Sequence, residues 1–112
     1  MRIGELASRT GVSKRALRYY EEQGLLVPLR MRNGYRIYAD DAPMVVSHIT
    51  ALLRLGFNSE TTRGFLPCTS GNLPEFEMCD DLRKRFEQRL DELDRQLRQL
   101  VWQRDALSVY LD

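Results

Sequence analysis

Apolar positions in the first part of the chain come singly, between polar and basic residues, at helical intervals. Leu6 and Ala7 lie in a polar run, Glu5 to Thr10, that reads as a short helix, and Gly11 breaks it. Val12 follows, Ser13 can cap a new helix, and Leu17 lies four residues inside it. Ala7, Gly11 and Leu17 have the spacing of a helix-turn-helix. Such a motif needs a small residue where two helices cross, a glycine where the turn goes left-handed, and an apolar plug on the second helix. The second helix, Ser13 to Glu22, then turns Ser13, Lys14, Arg15, Arg18 and Tyr19 outward. On this spacing alone, a solvated basic helix on another kind of small domain fits too.

The pattern then changes. After Gly24 and Leu25-Leu26-Val27-Pro28, the stretch Arg30-Met31-Arg32-Asn33-Gly34-Tyr35-Arg36-Ile37-Tyr38 sets Asn-Gly between two strand-forming segments. That is the strongest short hairpin signal, and a basic hairpin directly behind a helix-turn-helix is a wing. Helical spacing returns with Val45, Val46, Ile49, Leu52 and Leu53, capped by Asp40-Asp41, with Pro43 in the first turn and Gly56 at the end. His48 in this helix reads as packed or solvated rather than as a ligand. Asn58-Ser59 caps a short helix, Glu60 to Phe65, that stops before Pro67, and residues 67–74 read as an elbow.

The last element is a long helix starting between Pro74 and Asp80 and reaching about Leu111. Phe86, Leu90, Leu93, Leu97, Leu100, Leu107 and Leu111 fall on alternating steps of four and three, with Arg104 counted on the seam. This is a heptad stripe. A helix of roughly 32 residues is about 48 Å long, too long for a small domain to cover, so its seam asks for a partner helix. The alternative is one amphipathic helix folded back on its own domain. Trp102 and Tyr110 lie off the seam and read as packing on the head of either subunit, or as filling at the interface.

Composition adds an asymmetry. The 112 residues carry a net charge of only +1. Residues 1–39 hold eight Lys/Arg against three acids, whereas residues from Gly64 onward hold seven basic and ten acidic ones. A basic head on an acidic tail suits an anionic partner at one end. Arg2 is followed by polar helix, so no signal peptide is read, and no run approaches the apolar length of a membrane span. A cytoplasmic protein without membrane contact is the expectation. One histidine, no glycine-rich phosphate loop and no paired His/Glu spacing leave no catalytic constellation, so an enzyme is not expected.

Arg18-Tyr19-Tyr20-Glu21, Gly24-Leu25-Leu26, Asn33-Gly34-Tyr35-Arg36-Ile37-Tyr38 and Leu55-Gly56-Phe57, in this order and spacing, resemble the signature of the MerR family of bacterial transcription regulators. The match runs over about the first two-thirds of the chain, and the long last helix is consistent with it. The resemblance implies a mainly α fold: a winged helix-turn-helix DNA-binding domain with a small β-hairpin wing (residues 1–70), and a dimerisation helix (residues 74–112) that forms an antiparallel coiled coil. It implies a homodimer on double-stranded DNA at a palindromic promoter site. It also implies distortion of an over-long spacer, through which RNA polymerase is served indirectly. Ser13, Lys14, Arg15, Arg18 and Tyr19 are outward donors to phosphates and base edges; carried over by position, Lys14 and Arg15 approach base edges or phosphates, and Arg18 and Tyr19 hold the phosphate backbone. Arg36, with Tyr35 and Tyr38, makes the wing contacts. The chain departs from the family at Val45-Val46-Ser47-His48, where more charge is usual.

Cys68 and Cys79 are too few for a disulfide scaffold. In metal-sensing relatives the resemblance places a ligand near Cys79, but those relatives carry further cysteines after the long helix, and this sequence has none there. Three readings stay open: incidental thiols, a thiol switch between Cys68 and Cys79, and a soft metal ion at Cys79. A soft-metal site needs at least two good donors, and a switch needs a stabilised thiolate, which a helix start favours and Asp80 and Asp81 oppose. Two rivals from other classes also remain: an architectural DNA-binding protein that works without an effector, and a coiled-coil module whose basic head binds an acidic protein.

Overall fold

A computed structural model describes residues 1–68 and 79–112, without the side chains of residues 30–32 and 68. Backbone contacts divide the chain into two units, Met1–Glu77 and Met78–Asp112.

The first unit opens with helix α1, Ile3–Thr10, which begins two residues earlier than the sequence pattern suggests. Gly11 ends it at φ 72°, and its amide bonds back to the Ala7 carbonyl at 2.9 Å. Helix α2, Lys14–Glu22, starts at Ser13, whose Oγ accepts from the Ala16 amide at 3.1 Å. That bond satisfies one of the amides that every helix start leaves open. Leu6 and Leu17 are fully buried where the two helices meet.

Strands β1, Arg30–Arg32, and β2, Tyr35–Ile37, form an antiparallel hairpin in the register Arg30↔Ile37, Met31↔Arg36, Arg32↔Tyr35. Its two turn residues, Asn33 and Gly34, have φ of 50° and 78°. Two positive φ values define the type I′ turn that Asn-Gly favours. The Tyr38 amide donates to the Met1 carbonyl at 2.7 Å, so the base of the wing is stitched to the start of the chain.

Helix α3, Ala42–Arg54, has Asp41 at its N-cap, but no side chain bonds there. Helix α4, Ser59–Phe65, is capped by Asn58, whose Oδ1 accepts from the Thr61 amide at 2.8 Å, and a short 3-10 turn, Leu66–Cys68, follows. One core joins α1, α2, the wing base and α3: Leu6, Leu17, Tyr20, Leu25, Leu26, Tyr38, Val46 and Ile49 are its main members. The Tyr20 hydroxyl bonds Thr50 Oγ1 at 3.2 Å across α2 and α3. Val46 and His48 are both buried.

Gly24 and Gly56 end α2 and α3 in the same way. Each has positive φ, 72° and 97°. The next residue bonds back across the helix end, Leu25 to the Tyr20 carbonyl at 2.9 Å and Phe57 to the Leu52 carbonyl at 3.2 Å. Each is a Schellman turn, which needs a left-handed residue and then buries an apolar one. Leu25 and Phe57 are buried accordingly.

The second unit contains helix α5, Asp80–Leu111, 32 residues long, with Cys79 at its N-cap position. Phe86 and Leu93 are half-buried. Leu90, Leu97, Leu100, Leu107 and Leu111 are exposed, from 59% at Leu90 to 87% at Leu111. Trp102 and Tyr110 are 70% and 87% exposed, so neither packs away in the single chain. Arg104, on the seam, is exposed and pairs with Asp105 at 3.3 Å. Residues 69–78, which include most of the elbow and the earliest expected start of the long helix, lie outside the described residues, as does the Cys68 side chain.

Candidate nucleic-acid interface

The candidate surface is assembled from α2 and the wing. Ser13, Lys14, Arg15, Arg18 and Tyr19 are all exposed, on the side of α2 opposite Leu17 and Tyr20. Lys14 lies across the start of α1, with its Nζ within 3.8 Å of where a Cβ on Gly4 would stand. On the wing, Tyr35 and Arg36 are exposed. The Arg2 guanidinium stacks over the Tyr35 ring, 4.2 Å from its centroid, a cation–π contact that ties the hairpin tip to the chain start.

Tyr38 corrects the expectation of a wing contact. It is 1% exposed, and its hydroxyl donates to Glu21 Oε1. Alternation puts Tyr38 on the same side as exposed Arg36, and both reach Glu21, so the burial comes from what packs there. Tyr38 stands just past the end of β2, where its ring joins the core with Leu17 and Tyr20 of α2 and Val46 and Ile49 of α3. Burial raises the Tyr38 phenol well above its ordinary range. The bond to Glu21 and the charge of Glu21 raise it further, while Arg36 and Arg18 pull it partly back.

Glu21 is the other half of this arrangement. Its Oε2 pairs with Arg36 Nε at 2.9 Å, and its side chain is 11% exposed against 50% for Arg36. One carboxylate thus links α2, the wing and the core. The C-terminal end of α2 is negative by its dipole, carries Glu21 and Glu22, and has no basic residue in its last turn. Two cations arrive from elsewhere in the sequence: Arg36, and Arg63 of α4, which donates to the Gln23 carbonyl at 2.5 Å. Reasoning from the sequence passes over Glu21, Arg63 and Arg2. The signal for the first two is present, since two acids at a helix C-terminus inside a basic head need compensation.

Cys79 is half-exposed and makes no disulfide among the described residues. Among the described residues, no three His, Cys, Asp or Glu side chains group as metal ligands would. Cys79 alone is too small a donor set for a soft metal within one chain. Among the described residues, no helix is long and apolar enough to cross a membrane.

Comparison with known proteins bears directly on this surface. The family model described as MerR family regulatory protein matches residues 2–38, the span from α1 through the wing. The HTH-type transcriptional regulator CueR of Salmonella typhi is 32% identical over 108 residues, covering 96% of this chain and 76% of the relative. Among solved structures, the N-terminal part of MtaN, the Bacillus subtilis multidrug transporter activator, superposes with a TM-score of 0.78 at 20% identity, covering 99% of this chain and 97% of that one. PbrR691 from Ralstonia metallidurans CH34, solved in complex with lead(II), gives 0.67 at 25% identity, covering 99% of this chain and 81% of that one. The matched region contains the helix-turn-helix and wing just described, and the relative aligns through α5. The chain belongs to the MerR family and is a DNA-binding transcriptional regulator built on a winged helix-turn-helix.

Proposed function

We propose that the protein works as a homodimer on a palindromic promoter site, with residues 1–70 as the DNA-binding head and residues 74–112 as the dimerisation helix. The observation that carries this reading is the continuity of the exposed face of α2 with a wing pinned beside it through Glu21. In this reading α2 enters the major groove, where Lys14 and Arg15 meet base edges or phosphates. Arg18 and Tyr19 hold the backbone, and Tyr35 and Arg36 reach the flanking phosphates. The apolar seam of α5 pairs with its copy as an antiparallel coiled coil, which fixes the half-site spacing. The paired heads bend and untwist the promoter spacer, and RNA polymerase then reads the altered DNA rather than the protein.

Fluorescence anisotropy on the DNA upstream of the gene, with scrambled duplex as competitor, tests this. Selective binding is expected. Arg18→Ala should weaken binding to all duplexes and lower the slope of log K against log salt by about 0.9, one phosphate contact. Unchanged affinity and slope for Arg18→Ala would remove α2 from the groove. A signal at Cys79 is a second reading, favoured by its half-exposed thiol at the start of α5 and by the likeness to lead-bound PbrR691. Repeating the titration reduced, mildly oxidised and with lead(II) separates the alternatives. A shift under one condition alone names the signal, and three identical curves leave a regulator that works without one.

A further inference from the structure

We propose that Glu21 is the positioning residue of the wing: it holds the Arg36 guanidinium in the orientation that receives a DNA phosphate. This rests on the reading of the wing as a phosphate contact.

An acid on the DNA-facing side of a basic head repels phosphate, and at the end of α2 it also opposes the helix dipole. Glu21 is nevertheless nearly buried, which is costly for a carboxylate unless both oxygens are satisfied. Both are. Oε1 accepts from the Tyr38 hydroxyl, and Oε2 pairs with Arg36 Nε at 2.9 Å. The Tyr38 bond and the Arg36 ion pair hold the carboxylate from two sides. Tyr38 is itself anchored, with its ring in the core and its amide bonded to the Met1 carbonyl at 2.7 Å. Rigidity therefore passes from the core through Tyr38 and Glu21 to Arg36.

Arg36 is held through Nε, and half of its side chain remains exposed. The ion pair with Glu21 is made at Nε rather than at the terminal amino groups. An arginine gripped this way keeps two coplanar amino groups for a bidentate phosphate contact. It also enters the complex with its rotamers already restricted, which removes an ordering cost from binding.

Charge alone and positioning predict opposite signs. If Glu21 only repels phosphate, the isosteric Glu21→Gln tightens DNA binding. If it aims Arg36, Glu21→Gln loosens binding, by about tenfold for one charge-assisted contact. The salt slope then falls by about 0.9. The experiment is an anisotropy titration of the full chain on its upstream duplex and on scrambled duplex, over a salt series. Glu21→Gln, Arg36→Ala and the double variant are compared, with thermal melting of each as the check on folding. The double variant should bind no more weakly than Arg36→Ala alone. Tyr38→Phe changes no charge and leaves Glu21 in place, so it serves if Glu21→Gln melts early. It should weaken binding about threefold, the loss of one neutral bond's restraint, and only when Arg36 is present. Arg36→Ala weakening DNA binding while Glu21→Gln tightens it or leaves it unchanged would overturn the inference. So would a loss from Glu21→Gln of equal size with and without Arg36. Arg36→Ala without any effect would instead remove the wing contact on which the inference stands.

Discussion

A phenol buried beside a carboxylate holds its proton, and the Tyr38 phenol is in that position. In the unfolded chain the same group deprotonates near pH 10, its ordinary value. Above about pH 10 the unfolded state therefore binds fewer protons than the folded one, and stability falls as pH rises. Urea unfolding of the free protein at a series of alkaline pH values should show this decline. Tyr38→Phe should start about 1 kcal/mol less stable at neutral pH, from the lost hydroxyl bond, and should lose stability less steeply in alkali. Equal slopes for the two proteins would mean that the phenol is not buried as described. The point also bears on the surface, because a residue engaged in this way is a strut of the wing rather than a contact.

At the level of elements, helix ends decide where the DNA-facing parts stand. Gly24 turns the chain sharply out of α2, and a Cβ there would meet Arg63 Cδ at 3.4 Å as well as the strain of φ 72°. Gly24→Ala should cost about 1–2 kcal/mol in chemical denaturation, against the gain of a few tenths that Gly→Ala gives at an unstrained site. It should also loosen the Arg63 bond to the Gln23 carbonyl. Such ends are legible in the amino-acid sequence. Gly11, Gly24, Gly56, the Ser13 and Asn58 caps and the Asn33-Gly34 turn are local chemistry, readable from neighbours along the chain. The outward face of α2 follows from the helical period once Leu17 is taken as the plug. What escapes such reading is set by contacts distant in sequence. Tyr38 lies 17 residues from Glu21, and Arg63 lies 40 from Gln23. A period-two pattern says that a tyrosine alternates, but which face is covered depends on what packs there. Asp41 shows the converse, since a good cap residue stands at a helix start and makes no side-chain bond.

At the scale of the whole molecule, the two units differ in what they need. The head encloses its own core, whereas α5 presents leucines that one chain leaves more than half exposed. A seam of this kind is stable only when paired. Leu97→Glu with Leu100→Glu should shift the protein from dimer to monomer in sedimentation equilibrium at micromolar concentration. The folded head should remain, and affinity for a two-half-site duplex should drop toward that for a single half-site. Monomer in the parent protein as well would refute the coiled-coil reading. The basic head and acidic tail fit this division, since only the head has to approach phosphate.

The exposed seam has a consequence in heredity. With α5 pairing two copies as proposed, a subunit whose head is damaged but whose leucines are intact would still find a healthy partner and spoil the pair. Alleles that alter Arg18 or Arg36 should therefore behave as dominant in a cell carrying both copies. Alleles that break the stripe at Leu97 and Leu100 should be recessive, because their products fail to pair and leave the healthy subunits to each other.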